Sequence, residues 1–192
     1  MIKRVIIVHG WEGSAGSDWF PWLKEELSKR GFKVVLRSIP DTDAPSIKTW
    51  VPFLTQLAKK ADSNTYFVGH SVGCQTILRF LEKLDKSAKV GGAVFVAPWL
   101  TLKGLKTKEE KEIAREWLET KIDFVKVRKI CHKFTAIFSD DDYYVPLENR
   151  RFFSEKLGAK TVTIKKKGHI SGADGVRKLP VALKEFLEIT KI

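Results

Sequence analysis

Thr65-Tyr66-Phe67-Val68-Gly69-His70-Ser71-Val72-Gly73 is an aromatic and β-branched run that ends in the pattern G-x-S-x-G. Cys74, Ile77, Leu78, Leu81 and Leu84 follow at helical spacing. Strand, tight turn and helix form the setting in which the pattern has chemical meaning. Three fixed positions in five recur by chance, but chance seldom places them at a strand-to-helix turn with small residues on both sides. The glycines permit a turn that holds Ser71 in a strained conformation, its hydroxyl projecting at the C-terminal edge of a sheet. The helix begins at Ser71, so the backbone N–H of Val72 lies at a helix N-terminus, where negative charge is stabilised. The competing reading is an ordinary strand-to-helix turn.

Working outward, six apolar runs of strand length appear: Arg4 to Val8, Lys33 to Ser38, Thr65 to Val68, Val90 to Val96, Phe134 to Ser139 and Lys160 to Lys165. Amphipathic, helix-length segments alternate with them, which predicts an α/β fold with a mostly parallel sheet and helices on both faces. One helix is expected from about Trp19 to Arg30, capped by Asp18 and stopped at Gly31. A second spans Ser46 to Ala61, with Pro52 expected to kink it or move its start later. The last runs from about Leu179 to Ile189. Residues 98 to 129 fit the alternation least well. A capping box at Thr107 and Glu110 opens a helix there. This stretch reads either as a crossover helix or as a short lid, with Pro98, Trp99, Leu100 and Trp117 available to line an apolar pocket. At 192 residues the chain reads as one domain.

A serine hydroxyl needs a base to take its proton and a carboxylate to orient that base. On a sheet of this kind the acid and then the base follow the serine in the sequence. Of the four histidines, only His169 lies beyond a suitable acidic cluster; His9 and His70 belong to turn motifs and His132 precedes a strand. The acid is expected in Asp140-Asp141-Asp142, directly after the fifth strand. Asp142 is preferred, with Asp141 and Asp140 behind it, because three adjacent carboxylates repel and at least one must face solvent. A second oxyanion donor is expected from Val8-His9-Gly10-Trp11-Glu12-Gly13, with the Trp11 N–H as candidate. The nucleotide reading of that turn is weak, since neither GxGxxG nor GxxxxGK[ST] occurs. No metal-ligand spacing is present.

Composition excludes several classes. Hydrophobic residues make up 43% and charged residues 30%, the balance of a globular protein. Two cysteines form no disulfide framework, and the short apolar start is neither a signal core nor a membrane span, so a cytoplasmic protein is expected. The net charge of +12 invites nucleic acid or anionic membranes. The lysines are dispersed among glutamates, however, as on a solvated helix face, and neither partner is expected. Lys165-Lys166-Lys167 either favours anionic substrates or is merely exposed. Trp11, Trp19, Trp99 and Trp117 suggest an aromatic pocket for a small acyl substrate, with core packing the alternative for at least half of them. The oligomeric state is not legible.

HGWEG, GHSVG, Asp-Asp-Tyr-Tyr-Val-Pro and Lys-Lys-Gly-His occur in this order. With them, and with Trp22 to Leu27, Pro40-Asp41, Trp50 and Pro52 to Leu54, the sequence resembles the small serine hydrolases related to retinoblastoma-binding protein nine and the YdeN-like proteins. The resemblance spans nearly the whole chain. It implies a compact α/β-hydrolase fold with a minimal lid, Ser71, Asp142 and His169 as triad, no cofactor, and esterase-like or amidase-like chemistry. The rival reading is a non-catalytic binding or scaffold protein on the same fold.

Overall fold

The computed structural model describes residues 2–191. Its centre is one six-stranded sheet: β1 (Arg4–Val8), β2 (Lys33–Leu36), β3 (Thr65–His70), β4 (Gly92–Val96), β5 (Phe134–Ser139) and β6 (Lys160–Ile164). The order is β2-β1-β3-β4-β5-β6 and every neighbouring pair is parallel. Strands β3, β4 and β5 are buried along their whole length, while β2 and β6 at the edges are partly exposed. That difference explains why the central runs read as continuous rather than alternating apolar sequence.

Among the described residues seven helices flank the strands, six between strands and one after the last: α1 (Phe20–Lys29), α2 (Ile47–Leu57), α3 (Val72–Lys83), α4 (Lys108–Glu119), α5 (Phe124–Ile130), α6 (Asn149–Leu157) and α7 (Pro180–Thr190). α3 packs against α2 and α5, and α5 against α6, while α1 touches α7. α3 is buried almost all round, including Gln75, Thr76 and Arg79. The Arg79 guanidinium donates to the carbonyls of Trp117 and Thr120, each at 2.8 Å. A cation thus meets the negative end of α4.

Three local expectations change. Pro52 neither delays α2 nor ends it. The Ser46 hydroxyl accepts from Thr49 N–H to cap the helix, and the buried Trp50, Val51 and Leu54 hold it together across the proline. Asp18 does not cap α1: it has φ 55°, and its carboxylate accepts from Gly172 N–H at 2.6 Å instead. Residues 98–129 carry α4 and all but the last residue of α5 rather than a single helix. Helix α6 is not among the expected elements.

The strand order reverses between β1 and β3. Loops leaving their C-terminal ends diverge there and open a crevice. The turns after β1, β3, β4, β5 and β6 all reach this edge.

Candidate active site

Ser71 follows β3 with φ 50° and ψ −122°, a conformation that L-residues seldom adopt. It is held from both sides. Its N–H donates to Val96 O at 2.9 Å, and its carbonyl accepts from Cys74 N–H at 3.0 Å. Glycine makes room for the turn: a Cβ on Gly73 would stand 2.5 Å from the carbonyl oxygens of both Val8 and His9. α3 therefore approaches the end of β1 more closely than any side chain permits. Likewise, a Cβ on Gly10 would meet His70 Nδ1 at 2.7 Å, so the turn after β1 lies directly against the serine turn.

His169 Nε2 lies 3.0 Å from Ser71 Oγ. Its Nδ1 lies 2.9 Å and 3.2 Å from the two carboxylate oxygens of Asp142. With the proton on Nδ1, the ring donates to Asp142 and leaves Nε2 to accept from the serine hydroxyl. Asp142 is buried and also accepts from the Tyr144 and Val145 N–H groups at 2.8 and 2.9 Å. Asp140 and Asp141 are exposed and differ in partner. Asp140 accepts from Lys166 N–H at 2.8 Å; Asp141 accepts from Ser139 Oγ and from the Lys167 and Gly168 N–H groups. The Ser139 hydroxyl, followed by these amides, holds the Asp141 carboxyl below its usual range.

The loop that carries His169 is strained and heavily tethered. Lys166, Gly168 and Ile170 all have left-handed φ between 52° and 57°. Besides Asp140 and Asp141, Asp18 fixes Gly172, and Trp19 Nε1 donates to Ile170 O at 3.0 Å. His70 Nε2 donates to the backbone carbonyl of His169 at 2.9 Å. Burial depresses the His70 imidazole to about 4, with His169 adding to the effect, so the ring is neutral and its proton sits on Nε2. Its Nδ1 has no partner among the described residues.

After β1, His9 fixes the turn. Its Nε2 accepts from Ile39 N–H at 2.8 Å and its Nδ1 donates to Gly10 O at 2.9 Å. Trp11 follows, its indole N–H donating to Asp43 O at 2.9 Å. Its backbone N–H has no acceptor among the described residues. The Val72 N–H, as the first of α3, is one of the amides a helix leaves unpaired.

These groups border a cleft of about 330 Å³ that exposes Ser71 and His169 between Trp11, Trp99, Tyr143 and Tyr144. Trp99 Nε1 lies 3.3 Å from Ser71 Oγ and donates to it. Trp99 is itself buried and only borders the cleft, whereas Trp19 and Trp117 lie in the core and do not line it. From residues 98–129, Leu102, Leu105 and Glu110 reach the cleft, whereas Pro98, Leu100 and Trp117 do not. Lys165, Lys166 and Lys167 are exposed and do not line it. Sequence reasoning missed the tethers. Among them is the buried Asn149, whose amide accepts from Leu100 and Thr101 N–H and donates to Thr101 O and Pro146 O. It clasps the Trp99 loop to the Asp142 loop. Nothing in the sequence marks it, whereas His70 was visible as the variable residue of the serine motif.

A family profile described as serine hydrolase matches residues 5–188. The chain belongs to the serine hydrolase family. Within that family it is 30% identical to the YdeN protein of Bacillus subtilis (strain 168) over 181 residues, 94% of this chain and 93% of YdeN. The crystal structure of the B. subtilis ydeN gene product superposes with a TM-score of 0.89 at 28% identity, covering 97% of this chain and 98% of that one. Est1E from Butyrivibrio proteoclasticus, solved with ferulic acid bound, shares the fold at TM-score 0.72 and 18% identity, covering 97% of this serine hydrolase and 88% of Est1E. Among the described residues, no helix is long and apolar enough to cross a membrane.

Proposed function

We infer that this serine hydrolase cleaves small esters, thioesters or amides through an acyl-enzyme on Ser71. One observation carries the reading: Ser71 Oγ, His169 and Asp142 form an unbroken hydrogen-bonded chain, with Ser71 opening onto the cleft. Ser71 Oγ attacks the carbonyl carbon as its proton passes to His169 Nε2. The imidazolium is held by Asp142 through Nδ1–H. Collapse of the tetrahedral adduct breaks the bond to the leaving group, which takes the proton from Nε2. Water then repeats the sequence on the acyl-serine, releasing the acid and restoring the hydroxyl. The Val72 and Trp11 amides are the donors to the oxyanion, each of a type whose loss costs about 10²- to 10³-fold in rate. Trp99 orients the serine oxygen, and residues 98–129 act as a minimal lid through Leu102, Leu105 and Glu110.

Labelling by a fluorophosphonate, with turnover of a short-chain p-nitrophenyl ester alongside, tests this. The wild type is expected to label and turn over, and Ser71→Ala and His169→Ala to do neither. A folded wild type that takes no label and cleaves no ester overturns the reading in favour of a binding role.

A further inference from the structure

The cleft has a charge opposite to that of the molecule. Lys and Arg outnumber Asp and Glu by 35 to 23 in the chain. Yet the described residues that line the cleft include Glu12, Asp18 and Glu110 and no lysine or arginine. Lys103 and Lys106 lie on the neighbouring loop and Lys108 opens α4, all exposed and outside that lining, although the Lys106 charge reaches Glu110.

We propose that this cleft selects acyl substrates that carry an ammonium group, held between aromatic faces and the carboxylates at its rim. The proposal rests on the hydrolase reading above and names its substrate class. Trp11, Tyr143 and Tyr144 supply the accessible rings, whose faces attract cations through their quadrupoles, while the buried Trp99 turns its N–H edge to Ser71. Glu110 keeps its charge, because the amides of Thr107 and Lys106 bond its carboxylate and hold its pKa down. The negative field reaches the rings: burial raises the Tyr144 phenol, and Glu110 and Glu12 raise it further.

The chemistry gives this arrangement a sense. Hydrolysis builds negative charge on the carbonyl oxygen, and three nearby carboxylates oppose that charge for a neutral or anionic substrate. An ammonium on the substrate cancels their field in the transition state. The same acids then assist the reaction they would otherwise hinder.

The test uses matched esters. On the leaving side, butyrylthiocholine is compared with S-(3,3-dimethylbutyl) thiobutyrate, its neutral isostere, and with S-(2-sulfoethyl) thiobutyrate. On the acyl side, the phenyl ester of 4-(trimethylammonio)butanoate is compared with that of 5,5-dimethylhexanoate. In at least one pair, kcat/KM for the cationic ester is expected to exceed that of its isostere by about tenfold or more. That ratio should shrink as salt rises and fall toward unity in the double variant Glu12→Gln, Glu110→Gln. Glutamine keeps the capping geometry at position 110. Equal rates in both pairs, a preference for the sulfonate, or a ratio unmoved by the double variant each overturn the proposal. The wild-type ratios and their salt dependence need no variant to fold. If no ester is cleaved and no fluorophosphonate is taken up, the hydrolase reading falls, and this inference with it. Labelling with equal turnover leaves that reading standing and removes only the cation preference.

Discussion

Three consecutive aspartates occupy three different environments, and that is where residue identity meets function most directly. Asp142 is buried against the His169 ring, Asp141 bonds the exposed backbone at Lys167 and Gly168, and Asp140 bonds Lys166. Asp142→Asn cannot accept equally well from Nδ1–H and favours the wrong tautomer. It is expected to lower kcat by about 10³- to 10⁴-fold with the fold intact. Asp141→Asn keeps an oxygen for the Gly168 amide and should cost less than about tenfold. Steady-state ester kinetics with circular dichroism on both variants decides the assignment; the reverse order moves the acid to Asp141. The sequence located the cluster because a carboxylate must follow a strand at the serine's edge of the sheet. It ranked Asp142 first, but what separates the three is burial. Burial depends on the chain turning back at Tyr144 and Val145 to donate to Asp142, which residue type alone does not disclose. His70 was visible in the serine motif, but its tethering role was not, for a related reason: that role is exercised through a backbone carbonyl 99 residues away.

At the scale of elements, the serine turn works because α3 packs against the end of β1 with nothing between them. Gly73→Ala would drive a methyl group into the Val8 and His9 carbonyls, which are fixed backbone rather than a yielding side chain. A loss of about 3 kcal/mol is expected from urea unfolding, the upper part of the usual range for overpacking. An unchanged midpoint would mean that the packing is looser than this. At the start of α4, Thr107→Ala removes the hydroxyl that accepts from Glu110 N–H. About 1 kcal/mol is expected to go, seen as faster hydrogen exchange in the first turn. Strands were the most legible elements, since β-branched runs between turns have few other uses. Helix α6 was not legible: only Phe153 and Leu157 supply a buried apolar face, beside buried Asn149. Its stability comes from packing on α5, β5 and β6 rather than from periodicity. In α2, Pro52 misled because local propensity was outweighed by the Ser46 cap and the buried Trp50 face.

Across the whole molecule, the site is assembled from five turns far apart in sequence, and two buried histidines hold two of them. His9 organises the turn after β1, and His70 holds the loop of His169; both are buried and both are depressed by that burial, His70 to about 4. In the unfolded chain each histidine takes up a proton near the ordinary value of 6.5. Between that value and about 4 the unfolded state therefore binds more protons than the folded one, and stability must rise with pH through the window. It is fully present above about 6.5 and lost as the pH falls toward 4. His70 alone contributes a difference on the order of 3 kcal/mol across this range. A chain of net charge +12 gains further self-repulsion as histidines charge, which acts in the same direction. Urea midpoints at pH 7 and pH 4.5 measure the effect, and His70→Asn, which cannot titrate, should flatten the dependence. A wild type equally stable at both values would mean that the imidazole is free to protonate in the folded protein.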